Sequence, residues 1–207
     1  MPTDLIFDLD GTLWDTTAAC VTGWNQALSA QELSLRVDEA LLRSLMGLTG
    51  EDIRQRPFGD WPLEQGQRVL EACFKAETDQ ILQTGGQLYP SAEVTLQALA
   101  SRHALYLVSN CDQAYLDCFL RLHPGMAAIW QATLCHGDTG WPKDQNLHWL
   151  KENAQITQGV YIGDTHTDQQ AAAAAGLDFV YAAYGFGQAS EPCTTLQQLS
   201  ALPELLQ

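Results

Sequence analysis

The segment LIFDLDGT, residues 5–12, constrains the fold of this chain more than any other. Its three leading apolar residues run directly into Asp8 and Asp10, and Gly11 follows. An apolar run that a glycine ends predicts a buried strand of a parallel sheet, and open sheets of this kind bind ligands at the carboxyl ends of their strands. Two carboxylates at such an edge repel each other unless a cation lies between them, and oxygen ligands favour magnesium.

The same residues are compatible with a plain turn. Asp and Gly are both favoured in turns, so this segment alone does not separate a metal site from a loop. The other strands of the chain have to decide between the two interpretations.

Composition narrows the class of protein. The chain has 207 residues, enough for one domain or one domain with an insertion. Its 25 acidic against 10 basic residues give a net charge of -15, which argues against nucleic acid or an anionic membrane as a partner. No apolar run approaches the roughly 20 residues of a transmembrane helix, and the first residues lack the basic start of a signal peptide. We expect a soluble cytoplasmic protein, monomeric or weakly dimeric, with six reduced cysteines.

Residues 16–85 show only helical patterns. Apolar side chains recur at helical spacing after Thr16, in residues 37–46 and in residues 63–82. The last of these three segments is predicted to form the longest helix. The segment 47–50 breaks this pattern, and the proline- and glycine-containing segment 57–62 is interpreted as a turn. We therefore predict an all-helical insertion at 16–85, with the main domain formed by 1–15 and 86–207.

The rest of the chain alternates between strand and helix. The strands are predicted at 104–110, 132–135, 159–164 and 179–183, the run at 179–183 being the last strand. The helices are predicted at 89–100, 112–122, 143–153 and 168–175. This alternation predicts the fold class: an α/β protein with a doubly wound parallel sheet and an inserted helical domain.

Polar side chains end three of the predicted strands. They are Asp8 and Asp10, then Ser109 and Asn110, then Asp164 with Asp168 four residues later. The carboxyl ends of parallel strands meet at one edge of a sheet, so we expect these groups to lie together. Lys143 begins a helix after Gly140-Trp141-Pro142 and is expected at the same edge.

Taken together, these motifs are similar to those of the haloacid dehalogenase superfamily of aspartyl phosphatases. The correspondence is DLDGT at 8–12, Ser109-Asn110, Lys143, and GDTHTD at 163–168. It covers the whole chain, since the helical insertion falls where that family has its cap domain. Many members have a proline directly after the lysine, whereas here Pro142 precedes it; the run 139–146 resembles a variant of a bacterial branch.

The resemblance implies a mechanism and a cofactor, Mg²⁺. Asp8 is the expected nucleophile, and Asp10 the expected general acid and base, with a carboxyl pKa raised by its neighbours. Asp8, Asp164 and the backbone carbonyl of Asp10 are the expected magnesium ligands. Asp168 is expected to support the site by orienting Lys143 or a metal-bound water.

The resemblance also implies the remaining contacts of the substrate. The expected phosphate-binding residues are Gly11, Thr12, Ser109, Asn110 and Lys143. The cap loop that follows Met46 is similar to one that enters the site in related sugar-phosphate enzymes.

Candidate residues for substrate specificity are Gly47, Leu48, Thr49 and Arg54. The resemblance implies a small phosphorylated metabolite, phosphoglycolate- or sugar-phosphate-like, as the substrate. Because residues 46–52 carry no positive charge, we expect one phosphate on a small neutral body rather than a bisphosphate. We interpret His166 as an exposed side chain, and expect Trp14 and Trp141, which flank motif residues, to line the site.

Three alternatives to a phosphatase remain open from the sequence. One is a catalytically degenerate interaction protein, although no motif residue is missing. A phosphosugar mutase of the same family uses the same motifs. A phosphoacceptor signalling module also gathers carboxylates and a lysine at strand ends, although it needs neither an acid like Asp10 nor a helical cap of this size.

Overall fold

The computed structural model describes residues 3–206 and contains a six-stranded parallel sheet. The order of its strands is β5-β4-β1-β6-β7-β8. The strands are β1 Asp4–Phe7, β4 Leu105–Ser109, β5 Trp130–Cys135, β6 Gly159–Gly163, β7 Asp178–Ala182 and β8 Thr194–Leu196. A sheet of parallel strands with crossover helices is the predicted fold class, and it is confirmed.

The register of the central strand aligns the ends of its neighbours. Phe7 on β1 pairs with Leu107 on β4 and with Ile162 on β6, and the amide of Asp8 donates to the carbonyl of Ile162 at 2.9 Å. The residues that follow these strands therefore meet at one edge of the sheet.

Helices cover both faces of the sheet because the strands present apolar side chains on both faces. Leu5 and Phe7 point into one core cluster, while Ile6 packs with Tyr106 and Tyr161 in a second. The helices of this part are α5 Ala92–Ala100, α6 Gln113–Leu122, α7 Pro124–Ala127, α8 His136–Thr139, α9 Lys143–Asn153, α10 His166–Ala174 and α11 Leu202–Leu205. A 3₁₀ turn, Leu199–Ala201, precedes α11.

Four helices form the cap. They are α1 Thr17–Ala30, α2 Glu39–Leu45, α3 Gly50–Phe58 and α4 Leu63–Thr84. Helices α1 and α4 pack along each other, and Gly23 permits this approach because a Cβ there would overlap the backbone of Ala76. The cap joins the sheet domain through a short antiparallel ribbon of β2 Trp14–Asp15 and β3 Gln87–Leu88.

Two predictions of secondary structure were wrong, and a short ribbon was missed. Helix α3 lies where the sequence indicated a break followed by a turn. Thr49 caps it by accepting from the amide of Asp52, and Pro57 falls only in its last turn. Strand 179–183 is not the last, since β8 follows it, and the ribbon of β2 and β3 was not predicted because each strand has only two residues.

All six cysteines are free, and four are buried. Within residues 3–206, none of the helices has the length and apolar character needed to cross a membrane.

Candidate active site

The ends of two strands and the start of α9 bring the predicted carboxylates and the lysine into contact. Asp8 follows β1, Asp164 follows β6, and both are almost completely buried. Lys143, the first residue of α9, is also buried. Its Nζ lies 2.8 Å from Asp8 Oδ1 and 2.6 Å from Asp168 Oδ1. The sequence-predicted core of the site is thus one cluster.

Lys143 is held as a cation by its two carboxylate partners. Burial lowers its pKa, but the negative charges of Asp168 and Asp8 more than offset that effect, so the pKa lies above its ordinary value. The ring of Tyr161 lies against it, with its centroid 5.7 Å from Nζ. A lysine held in this way supplies a fixed positive charge beside Asp8.

Asp168 is saturated with hydrogen bonds. Its Oδ2 accepts from the amides of Asp164 and Thr165 and from the Thr165 hydroxyl, while Oδ1 faces Lys143. The Thr165 hydroxyl in turn accepts from the amide of Asp168, which makes a capping box at the start of α10. These contacts are those that the expected supporting role requires.

Asp8 and Asp164 each present one oxygen that fits a cation. Asp8 Oδ2 and Asp164 Oδ1 are buried and accept no hydrogen bond from residues 3–206. Asp8, Asp164 and Asp168 offer oxygens within 4.8 Å of one another.

The negative charges of this cluster also favour a bound cation. Burial and the charge of Asp168 raise the pKa of Asp8 well above its usual range, although the positive charge of Lys143 lowers it. Burial also raises the pKa of Asp164, to about 7. A divalent cation would offset this repulsion, so the residues fit magnesium.

The loop after β7 wraps around Asp164. The amides of Phe186 and Gly187 donate to Asp164 Oδ2 at 2.7 and 3.3 Å. Gly185 packs directly on Asp164 and on the carbonyl of Gly11, and a Cβ at either glycine would overlap the Asp164 carboxylate. These loop residues were not predicted as part of the site, although their glycine spacing was a visible signal.

Replacing Gly185 with Ala should displace Asp164. The new methyl group would overlap both Asp164 and the Gly11 carbonyl, so we expect catalytic activity to fall at least roughly 100-fold, the scale of a misplacement of about 1 Å. Steady-state kinetics would measure it. Gly140→Ala is the control for a glycine with open space around its Cβ, although its positive φ of 70° carries some strain. Equal activity of the two variants would contradict the expectation.

Asp10 is tied to the cap by a chain of hydroxyl groups. The hydroxyl of Tyr115, on α6, donates to Asp10 Oδ1 and lies 2.5 Å from the hydroxyl of Thr16 at the start of the cap. Burial raises the pKa of Asp10 to about 6, although the hydrogen bond from Tyr115 lowers it. This value suits a group that alternates between acid and base near neutral pH. No sequence pattern pointed to Tyr115.

The other expected phosphate-binding residues lie along the same edge. Ser109 is buried, and its Oγ accepts from the amide of Cys111 at 3.2 Å. The hydroxyl of Thr12 is buried and accepts or donates no hydrogen bond within residues 3–206. Asn110 Nδ2 donates to the carbonyl of Gly47 at 2.8 Å, which joins the sheet edge to the cap loop.

The specificity candidates divide into two pairs. Gly47 and Leu48 line a cavity between cap and sheet domain that also contacts Asp10, Ser109 and Asn110. Thr49 and Arg54 do not line it. Thr49 caps α3, and Arg54 donates to both oxygens of Glu51, at 3.1 and 2.7 Å.

Three further residues considered from sequence lie off this cavity. Trp14 is fully buried and packs edge to face against Tyr115 and Phe119. Trp141 is 41% exposed, and His166 is exposed, as expected. Neither tryptophan lines the cavity that contacts Asp10.

Fold and site together define a class of α/β proteins that have a buried carboxylate cluster at the strand ends and a helical cap above it. A sequence model of the haloacid dehalogenase-like hydrolases matches residues 5–182 of the chain. The chain therefore belongs to the haloacid dehalogenase-like hydrolases, and among them it is a phosphatase.

Individual relatives agree with this family. A phosphoglycolate phosphatase of Rhodospirillum rubrum is 27% identical over 99% of this chain and 88% of its own length. One from Vibrio vulnificus is 30% identical over 98% of this chain and 95% of its own. A haloacid dehalogenase-like family hydrolase of Streptococcus pneumoniae has the same fold, with a TM-score of 0.85, 20% identity and coverage of 100% and 99%.

Proposed function

We propose that this phosphatase hydrolyses a small phosphomonoester in a magnesium-dependent reaction that forms an aspartyl phosphate on Asp8. The observation that carries the proposal is the environment of Asp8. It is buried, lies 2.8 Å from the ammonium group of Lys143, and is two residues from a second carboxyl that faces the substrate cavity.

In the first step, a carboxylate oxygen of Asp8 attacks phosphorus while the bond to the alcohol oxygen breaks. Asp10 gives its proton to the leaving oxygen, so the alcohol departs neutral. In the second step, Asp10 takes a proton from water, which attacks the phosphoryl group and releases inorganic phosphate and free Asp8. A pKa of about 6 lets Asp10 serve in both directions.

Lys143 and Ser109 act on the phosphoryl oxygens. Lys143 is positioned before substrate arrives, because Asp8 and Asp168 fix its ammonium group. A preorganised charge of this kind stabilises the transition state without reorganisation. The hydroxyl of Ser109 and the amides near Gly11 and Asn110 supply hydrogen bonds to the same oxygens.

Magnesium would be held by Asp8, Asp164 and the carbonyl oxygen of Asp10, where it would supply positive charge that offsets the repulsion between nucleophile and phosphate. The two unpartnered oxygens of Asp8 and Asp164 support this assignment.

The cap closes over the site through a hinge that we place at residues 15–16 and 85–86, with the cap formed by 16–85. The ribbon of β2 and β3 lies next to these positions, and Gly85 has a φ of 77° that other residues rarely adopt. The hydrogen bond between Asn110 and Gly47 is one that closure would form.

An assay of phosphate release tests the proposal. We expect the purified protein to release inorganic phosphate from acetyl phosphate and from small alkyl phosphates with magnesium, and to lose at least roughly 100-fold in rate with excess chelator. Restoration by magnesium is the control for irreversible loss. Undiminished turnover in chelator would contradict the cofactor assignment.

The product separates hydrolysis from phosphosugar mutase activity. A hydrolase releases one phosphate for each substrate consumed, whereas a mutase returns an isomeric sugar phosphate and little free phosphate. We expect stoichiometric release with sugar phosphates as well.

A further inference from the structure

The substrate cavity is small. It has a volume of about 140 Å³ and extends from Asp10, Ser109 and Asn110 into the cap. One water molecule needs a cavity volume of about 10–15 Å³, so this cavity can hold on the order of ten groups of that size. Its occupant beyond the phosphate is therefore a short chain or a single small ring.

The cap side of the cavity is apolar with one exception. Seven large apolar side chains line it: Trp24, Leu42, Leu45, Met46, Leu48, Ile53 and Phe74. The exception is Glu77, in the middle of α4, which is only 8% exposed. The phosphoryl chemistry described above has no use for this carboxyl.

Carboxyl groups outnumber basic groups around the cavity. Among residues 3–206, its lining has the carboxyls of Asp10, Glu77 and Asp112 and a single imidazole, that of His136, and it also includes the thiols of Cys20 and Cys111 and the hydroxyl of Tyr115. His136 comes from the sheet domain, and its Nδ1 lies 2.9 Å from the carbonyl oxygen of Trp141. A substrate with a carboxylate on its organic part would meet apolar walls and these acids, and its desolvation would not be compensated.

Glu77 also lacks a cationic partner. Its Oε2 accepts a hydrogen bond from Trp24 Nε1 at 2.5 Å, and it forms no ion pair within residues 3–206. Burial accordingly raises its pKa to about 8. Buried carboxylates in proteins are normally paired, and a glutamine would satisfy Trp24 equally well. Glu77 is therefore protonated near neutral pH in the empty cavity, and a cation that enters the cavity would lower its pKa and pair with it as a carboxylate.

We propose that Glu77 determines substrate specificity as the counterion of an ammonium group, so that the preferred substrate is a small amino-alcohol phosphate without a carboxylate. This inference rests on the proposed phosphatase function and names its substrate class. The phosphate lies at Asp8 and Lys143, and the amino group of the leaving alcohol faces Glu77 across the apolar cavity.

Three substrates of similar size test the proposal. They are 2-aminoethyl phosphate, 2-hydroxyethyl phosphate and phosphoglycolate, in which an aminomethyl, a hydroxymethyl and a carboxylate group, respectively, is attached to the same phosphorylated methylene. We expect kcat/KM for the aminoethyl ester to exceed that for each of the others at least about tenfold, because only the ammonium pairs with a desolvated carboxylate. Phosphoglycolate turned over as well as the aminoethyl ester would overturn the proposal.

The variant Glu77→Gln isolates the charge. It keeps the acceptor for Trp24 but cannot pair with a cation, so the ratio of aminoethyl to hydroxyethyl turnover should fall to near one, mainly through KM. Glu71→Gln, an exposed position on the same helix, is the matched control and should keep the wild-type ratio. An unchanged ratio in Glu77→Gln would mean that Glu77 serves only to hold Trp24.

Thermal melts show whether the variant folds. Glu77 keeps a proton in the folded state up to about pH 8, whereas its ordinary pKa is 4.5, so its contribution to stability is lost as pH rises through 8. Glu77→Gln should therefore melt no lower than the wild type at pH 9. A folded variant with an unchanged ratio overturns the inference. The absence of any magnesium-dependent turnover of acetyl phosphate by the wild type would instead overturn the proposed function.

Discussion

Asp8→Asn is expected to abolish phosphate release with the fold intact. The amide nitrogen and oxygen of Asn are poor nucleophiles, so we expect kcat to fall at least ~10⁴-fold, the scale on which loss of a nucleophile acts. The side chain keeps its shape, and Lys143 keeps its second partner, Asp168, at 2.6 Å. Steady-state phosphate release and circular dichroism would measure the two expectations.

The matched control lies at the start of β1, the strand that Asp8 follows. Asp4→Asn changes a partly exposed carboxyl at the start of β1, outside the site. It should keep activity within about twofold, because substitutions at such positions usually change stability little. Trapping of labelled phosphate on the protein gives an independent readout, since a wild-type protein quenched in acid should retain label that Asp8→Asn lacks. Magnesium-dependent turnover above about one per cent in Asp8→Asn would remove Asp8 as the nucleophile.

Lys143→Met is expected to damage both activity and stability. The variant removes the cation that lies between Asp8 and Asp168 and leaves two buried carboxyls facing each other. Breaking a buried pair in this way costs about 3–5 kcal/mol, and loss of one preorganised charge costs about 10²–10³ in kcat. Urea unfolding and steady-state kinetics would measure the two losses.

The pH dependence of this loss has a definite sign. The folded-state pKa of Asp8 is already raised, and without Lys143 it rises further. In the folded variant, protonation of Asp8 therefore removes its repulsion with Asp168. The destabilisation should therefore be larger at pH 8 than at pH 5. In the wild type, the raised pKa of Lys143 keeps its contribution fully present at both values and loses it only above the ordinary lysine pKa.

Lys75→Met is the control for losing an ion pair. Lys75 pairs with Asp79 at 2.6 Å, but its side chain is 76% exposed, so its removal should cost less than about 1 kcal/mol. If Lys143→Met were no more destabilising than Lys75→Met and retained activity, the pairing of Lys143 with Asp8 would have no part in the site.

The order of the elements and the residues at the strand ends were predictable from sequence. Apolar runs in β1, β4 and β6 end in polar residues, and parallel strands bring those ends together whatever lies between them. Lys143 was found because α9 begins at a proline-marked boundary, where the helix does start. The family resemblance added the roles of Asp8 and Asp10, but their proximity to Lys143 already followed from the topology.

Local signals failed where they were short or contradictory. Helix α3 contains a proline that reads as a breaker, and its capping residues, Thr49 and Asp52, are a weak signal. Strand β8 has three residues, too few for a pattern. Arg54 was selected for its charge alone, and the structure pairs it with Glu51 on the same helix.

The sequence by itself thus showed that residues 5–12 contain the end of a buried strand. It also identified the edge of the sheet at which phosphate chemistry is expected. Only the tertiary structure decided which distant groups surround it. Tyr115 contacts Asp10 across about a hundred residues of chain, Phe186 contacts Asp164, and Glu77 faces the cavity from the cap. The physical reason is that such contacts depend on how α4, α6 and the loop after β7 pack, and packing leaves no periodic trace in the sequence around a single polar residue.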